Sequence, residues 1–88
     1  MAVRILAEPI DAIVKFKGGE KPRPYKFRYL SDDTYHEVKV DKIIMVEEAR
    51  IAGIRSFKYL CQSEIEGTVK LYELKYLIED CRWELYKM

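Results

Sequence analysis

The residues of this 88-residue chain that could do chemistry are few and scattered. His36 is the sole histidine, beside Glu37, and no second histidine is present to complete a metal pair or a Ser/His/Asp set. Cys61 and Cys81 stand alone, outside any CxxC or Cys/His cluster, so they read as two reduced, partly buried thiols rather than a disulfide frame or a zinc site. Asp32-Asp33 and Glu47-Glu48 are adjacent carboxylates. Acid/base work needs two carboxylates converging in one pocket, whereas neighbours in a strand or turn diverge, so turn formation and helix-end charge are the expected uses. Gly18-Gly19 belongs to neither a GxGxxG nor a GxxxxGK string, and nucleotide hydrolysis has no support. A catalytic site would require His36, Asp41, Cys61 and Glu73 to converge, which their spacing does not indicate. The expectation is therefore a protein that is not an enzyme, with no catalytic residue, no metal and no small-molecule cofactor.

One segment remains. KFKGGEKPRPYKFRY interleaves basic and aromatic residues, the combination by which β-sheet readers of nucleic acid join phosphate neutralisation to base stacking. Its candidate site residues are Lys17, Lys21, Arg23, Lys26 and Arg28, a basic rim at a sheet edge. Period-two alternation raises an objection: Lys26 and Arg28 fall opposite Tyr25, Phe27 and Tyr29, which places those rings in the core. A purely structural reading also stands, with the cations serving edge protection and solubility.

Charge is polarised along the chain. Six basic residues against Glu20 lie between Lys15 and Arg28, and six acidic against three basic lie between Glu64 and Glu84, although the net charge is only +1. Two partners follow as expectations. The first is single-stranded DNA or RNA on the basic edge. The second is a further copy of the chain, with basic N-terminal strands meeting acidic C-terminal strands in a homo-oligomer.

These residues must be positioned by strands. Ile10, Ala12, Val14 and Phe16 alternate with polar residues from Pro9, and Gly18-Gly19 reverses the chain into a second strand through Tyr25, Phe27 and Tyr29. After the turn at Ser31-Asp32-Asp33, a third strand runs from Tyr35 to Val46 with a bulge or bend near Asp41. Glu47 to Ile54 reads as a short helix ended by Gly53. Ser56–Ile65, Thr68–Ile78 and Cys81–Met88 are three further strands, the first two joined at Glu66-Gly67.

The expected fold is all-β: a six-stranded antiparallel meander curled into a small barrel or half-barrel, with at most one short helix. Residues 1–88 make one domain, since an apolar share of 49% in a chain this short supports a single core, with 1–8 a poorly ordered or short-strand lead-in. The start MAVRILAEPID fits neither a signal peptide nor a membrane helix, and the cytoplasm is the expected location.

The strings KPRPYKFRY, VKVD, YLCQSEIEG, YELKY and CRWELYKM resemble those of a group of short uncharacterised proteins of clostridia and related Gram-positive bacteria, over most of the chain from Pro9 onward. That resemblance implies a bacterial cytosolic β protein and carries over no functional residue.

Overall fold

A computed structural model describes residues 5–88. They form seven strands and no helix: β1 (Ile5–Lys15), β2 (Arg23–Ser31), β3 (Thr34–Lys39), β4 (Lys42–Ile51), β5 (Ile54–Ile65), β6 (Thr68–Leu77) and β7 (Arg82–Lys87). All neighbours are antiparallel, in one sheet of order β3-β2-β1-β7-β6-β5-β4 that does not close. No helix of the described residues is long and apolar enough to cross a membrane. The lead-in expected over 1–8 divides: Ile5–Glu8 belong to β1, and the first four residues lie outside the described part.

Turn chemistry fixes most of the hairpins. Asp32-Asp33, Ala52-Gly53 and Glu66-Gly67 all have positive φ at both central positions, from 51° to 81°. That is the requirement of the two-residue turn whose twist matches a right-twisted strand pair. Between β1 and β2 the loop is longer; Glu20 N donates to Lys17 O at 3.0 Å, and Gly19 takes φ 81° inside that turn.

The helix expected over Glu47–Ile54 is absent, and that segment forms the end of β4 and its turn. Gly53 does need positive φ, but a helix cap and a hairpin turn make the same demand, so the glycine does not tell them apart. Glu47, Glu48 and Ala49 pair instead with Lys58, Phe57 and Ser56 of β5. A helix so short has little stability of its own, and cross-strand pairing overrides its weak propensity.

The single third strand expected from Tyr35 to Val46 is two strands, which raises the count from six to seven. The bend does lie at Val40-Asp41, but the chain changes partners there: β3 pairs with β2, and β4 pairs with β5 at the far end of the sheet. Two residues can link opposite ends only because the sheet curls until β3 reaches β5. Ser63 of β5 clamps this corner. Its Oγ donates to Lys39 O at 2.6 Å and accepts from Asp41 N at 3.3 Å, while the buried Tyr72 hydroxyl lies 2.6 Å away. Asp41 Oδ2 accepts in turn from Glu64 N at 2.8 Å. Since β3 and β4 share no ladder, the expected barrel stays open along this seam.

The concave face carries the core. Phe27, Val38, Tyr59, Cys61, Tyr72, Leu74, Tyr76, Trp83 and Leu85 are buried, with Ile10, Ala12 and Val14 of β1 packed against them. Trp83 is central, with its ring centroid 5.1 Å from Tyr59 and 4.9 Å from Tyr76. Aromatics let a small sheet bury much area from few positions. β1 serves both halves, pairing through Ile10 with β7 and from Asp11 with β2, so it carries the β1–β2 loop out from the core.

Candidate functional site

The ladder between β1 and β2 slips by one residue. Ile13 pairs with Lys26 but Val14 pairs with Pro24, which leaves Tyr25 as the extra residue of a bulge. Proline has no N–H to give a ladder, and within sheets it is confined to edges, strand starts and bulges. The slip reverses the facing of everything before it. Pro24 is buried beside Phe27, and Tyr25 is 44% exposed. The sequence expectation that Tyr25 shares a buried face with Phe27 and Tyr29 is thus corrected. Phe27 is core, Tyr29 is half-buried, and Tyr25 faces solvent.

This exposed ring lies in a cleft of about 330 Å³ lined by Lys15, Lys17, Glu20, Lys21, Arg23 and Tyr25. The Arg23 guanidinium carbon is 5.8 Å from the Tyr25 ring centroid, and Lys21 Nζ is 5.4 Å from that of Phe57. Lys17 meets Glu20 at 3.4 Å, both well exposed, where such a pair is weak. Lys15, Lys21 and Arg23 have no carboxylate at ion-pair distance among the described residues. Phe16, 67% exposed, adds a second aromatic next to Lys15 and Lys17, its ring edge-on to Tyr76 at 6.4 Å.

The five cations picked out from sequence therefore divide. Lys17, Lys21 and Arg23 come together in the cleft, whereas Lys26 and Arg28 line a separate depression with Asp11, Ile13 and Glu37. Both of these are already matched: Lys26 Nζ is 2.9 Å from Glu37, and Arg28 is 2.8 Å from Asp11 through two nitrogens. The hydrogen bond and charge of Lys26 hold the Glu37 carboxyl below its ordinary pKa, and Asp11 raises that of Arg28 in the same way. Arg28 also lies over the Tyr35 ring at 4.3 Å. Lys15 joins the site although it was not among the five, and Tyr25 joins it from the expected core. The signal for Tyr25 was Pro24 inside a strand pattern, which marks a bulge, whereas Lys15 lies on the outward parity of β1 with Asp11 and Ile13.

The remaining reactive residues stay apart. His36 stacks on Tyr29 at 5.1 Å. Asp41 holds the corner, and Glu73 faces Lys87 at 3.6 Å, with its Oε2 making no hydrogen bond. Cys61 lies mid-β5 opposite Tyr72, fully buried, and burial pushes its thiol pKa up to about 12. Cys81 is exposed in the turn between β6 and β7, and both thiols are free. The described residues contain no group of three or more His, Cys, Asp or Glu able to hold a metal ion. Glu84 is nearly buried and pairs with Arg82 at 3.3 Å, as Glu73 does with Lys87.

No family model matches the chain, and neither a curated protein nor a solved structure matches it.

Proposed function

We propose that this protein is a cytoplasmic, non-catalytic binding module that holds single-stranded DNA or RNA in the cleft at the β1–β2 end of the sheet. Phosphates meet Lys15, Lys17, Lys21 and Arg23, and an unstacked base lies on Tyr25. The observation that carries this reading is the bulge that turns Tyr25 out of the core into the basic cleft. It answers the objection from alternation, because ring and cations now share one solvent-facing site. A single strand suits it better than a duplex, since base faces are available for stacking only when the strand is unpaired. The homo-oligomer built from basic and acidic strands gains less support, because Glu73 and Glu84 already have partners within the chain.

Titration of labelled single-stranded oligonucleotides followed by fluorescence anisotropy tests this. Four cations offset by Glu20 neutralise about three phosphates, and single strands release ~0.7 counterion for each, so log K falls with log[salt] at a slope of about −2. Absence of binding at low salt overturns the proposal.

A further inference from the structure

β4 ends the sheet. It is bonded to β5 on one side, and its other edge has no strand partner among the described residues. Such an edge presents a row of free N–H and C=O groups, a template for another strand. Its first part is blunted by a bulge at Ile44, but from Met45 to Ile51 the register with β5 is unbroken. Met45 and Ile51 are more than half exposed along this regular stretch.

Charge selects the partner. Arg50 faces Arg55 directly across the β4–β5 ladder and has no carboxylate at ion-pair distance among the described residues. Like charges opposed in this way are unfavourable. Glu48 reaches Arg55 only at 3.4 Å and stays about half exposed, so unlike the enclosed Glu73 and Glu84 it can take a second cation, while Arg50 is unmatched. A second copy can supply what is missing.

Two copies that extend one sheet by antiparallel pairing of the same edge are related by a two-fold axis normal to the sheet. Residues opposed across that axis must point to the same face, so the axis passes through a residue and not between two. Through Met45 or Val46 it runs across the bulge, and Val46 also sets Lys42 against Arg50, while through Ile51 it runs off the end of β4 into the turn. Through Glu47, Glu48 or Arg50 it sets like charges face to face. Through Ala49, the small residue of the stretch, it opposes Glu48 to Arg50 on both sides. We infer that β4 is a self-association edge, at which two copies pair antiparallel about Ala49 with Glu48 of each copy against Arg50 of the other. This inference is independent of the nucleic-acid reading. A single strand edge covers less than the ~1,200 Å² typical of stable specific interfaces, so the dimer is weak and exchanging.

Sedimentation velocity of the full chain over a range of concentrations at low salt tests it. The unmodified protein shifts from monomer to dimer as concentration rises. Glu48→Arg and Arg50→Glu each move it back to monomer, and the double exchange E48R/R50E restores the dimer because the pair is rebuilt with its sense reversed. Circular dichroism checks the fold of each variant; if a reversal unfolds the chain, Glu48→Gln and Arg50→Gln replace it, and each weakens association. Amide exchange in the unmodified protein gives a second reading, in which protection over Val46–Ala52 increases with concentration. A concentration-independent monomer, a dimer indifferent to the single changes, or a double variant that does not recover overturns the inference.

Discussion

Replacing Tyr25 by alanine separates the binding role of that ring from any part in folding, and the two costs follow from its exposure. Tyr25 is 44% exposed, so roughly half its surface stays in water in the folded protein. Full burial of a large apolar side chain is worth about 1.5–3 kcal/mol, and half of that sets the stability loss of Tyr25→Ala near 1 kcal/mol. A domain of this size has a net stability of roughly 5 kcal/mol, so the variant stays folded. Stacking of a base on an aromatic ring is worth about 1–3 kcal/mol by alanine substitution, which corresponds to roughly a 5- to 150-fold loss of affinity. Tyr25→Phe keeps the ring and retains the affinity, because stacking uses its face and not its hydroxyl. Phe27, two positions on but 2% exposed, behaves oppositely: Phe27→Ala costs about 3–5 kcal/mol and removes most of the fold's stability. Anisotropy titration with a labelled single strand, beside urea denaturation of each variant, measures both quantities. A folded Tyr25→Ala protein that binds as tightly as the unmodified chain refutes the stacking role.

The double change Lys26→Ala with Arg28→Ala leaves oligonucleotide affinity and its salt slope unchanged, because both cations are matched by Glu37 and Asp11; its stability cost in urea is small, as for other exposed ion pairs. Ser63→Ala strips the corner of its clamp, leaving Lys39 O and the buried Tyr72 hydroxyl without this partner, and lowers the unfolding free energy by about 1–3 kcal/mol in the same assay. Alkaline pH destabilises the fold. Burial raises the Cys61 thiol from its ordinary 9.0 to about 12 and also raises the Tyr59 and Tyr72 phenols. The folded state therefore holds protons that the unfolded chain releases; stability from Cys61 is complete below pH 9.0 and is lost as pH rises toward about 12, which denaturation midpoints measured across that window detect. At neutral pH a thiol reagent accordingly labels Cys81 alone while the chain is folded, and both cysteines in denaturant.

The sheet was legible where alternation ran unbroken. Tyr59, Cys61 and Ser63 of β5, Tyr72, Leu74 and Tyr76 of β6, and Trp83 and Leu85 of β7 face the core as their spacing predicts. Reading failed where local pattern and long-range pairing part company. Nothing in the Tyr35–Val46 string announces that its halves pair with strands at opposite ends of the sheet, because that depends on the curl of the whole molecule. Ser63 shares the parity of Tyr59 and Cys61, but its two backbone bonds at the corner exist only once β3 reaches β5. Glu47–Arg50 carries helix-favouring residues in a strand, a local preference overruled by pairing with β5. The site was half legible. The basic segment was found by composition, yet strict period two kept Tyr25 inside, and a single bulge at Pro24–Tyr25 reverses that assignment.

An amide-resolved NMR titration of the full chain with a short single-stranded oligonucleotide tests the basic cleft as the binding site. Binding in the basic cleft concentrates the shift changes from Lys15 to Tyr25 and at Phe57, the ring beneath Lys21, and leaves the Asp11, Arg28 and Glu37 surroundings unmoved. Changes centred on Lys26 and Arg28, or a spectrum indifferent to the oligonucleotide, would contradict it.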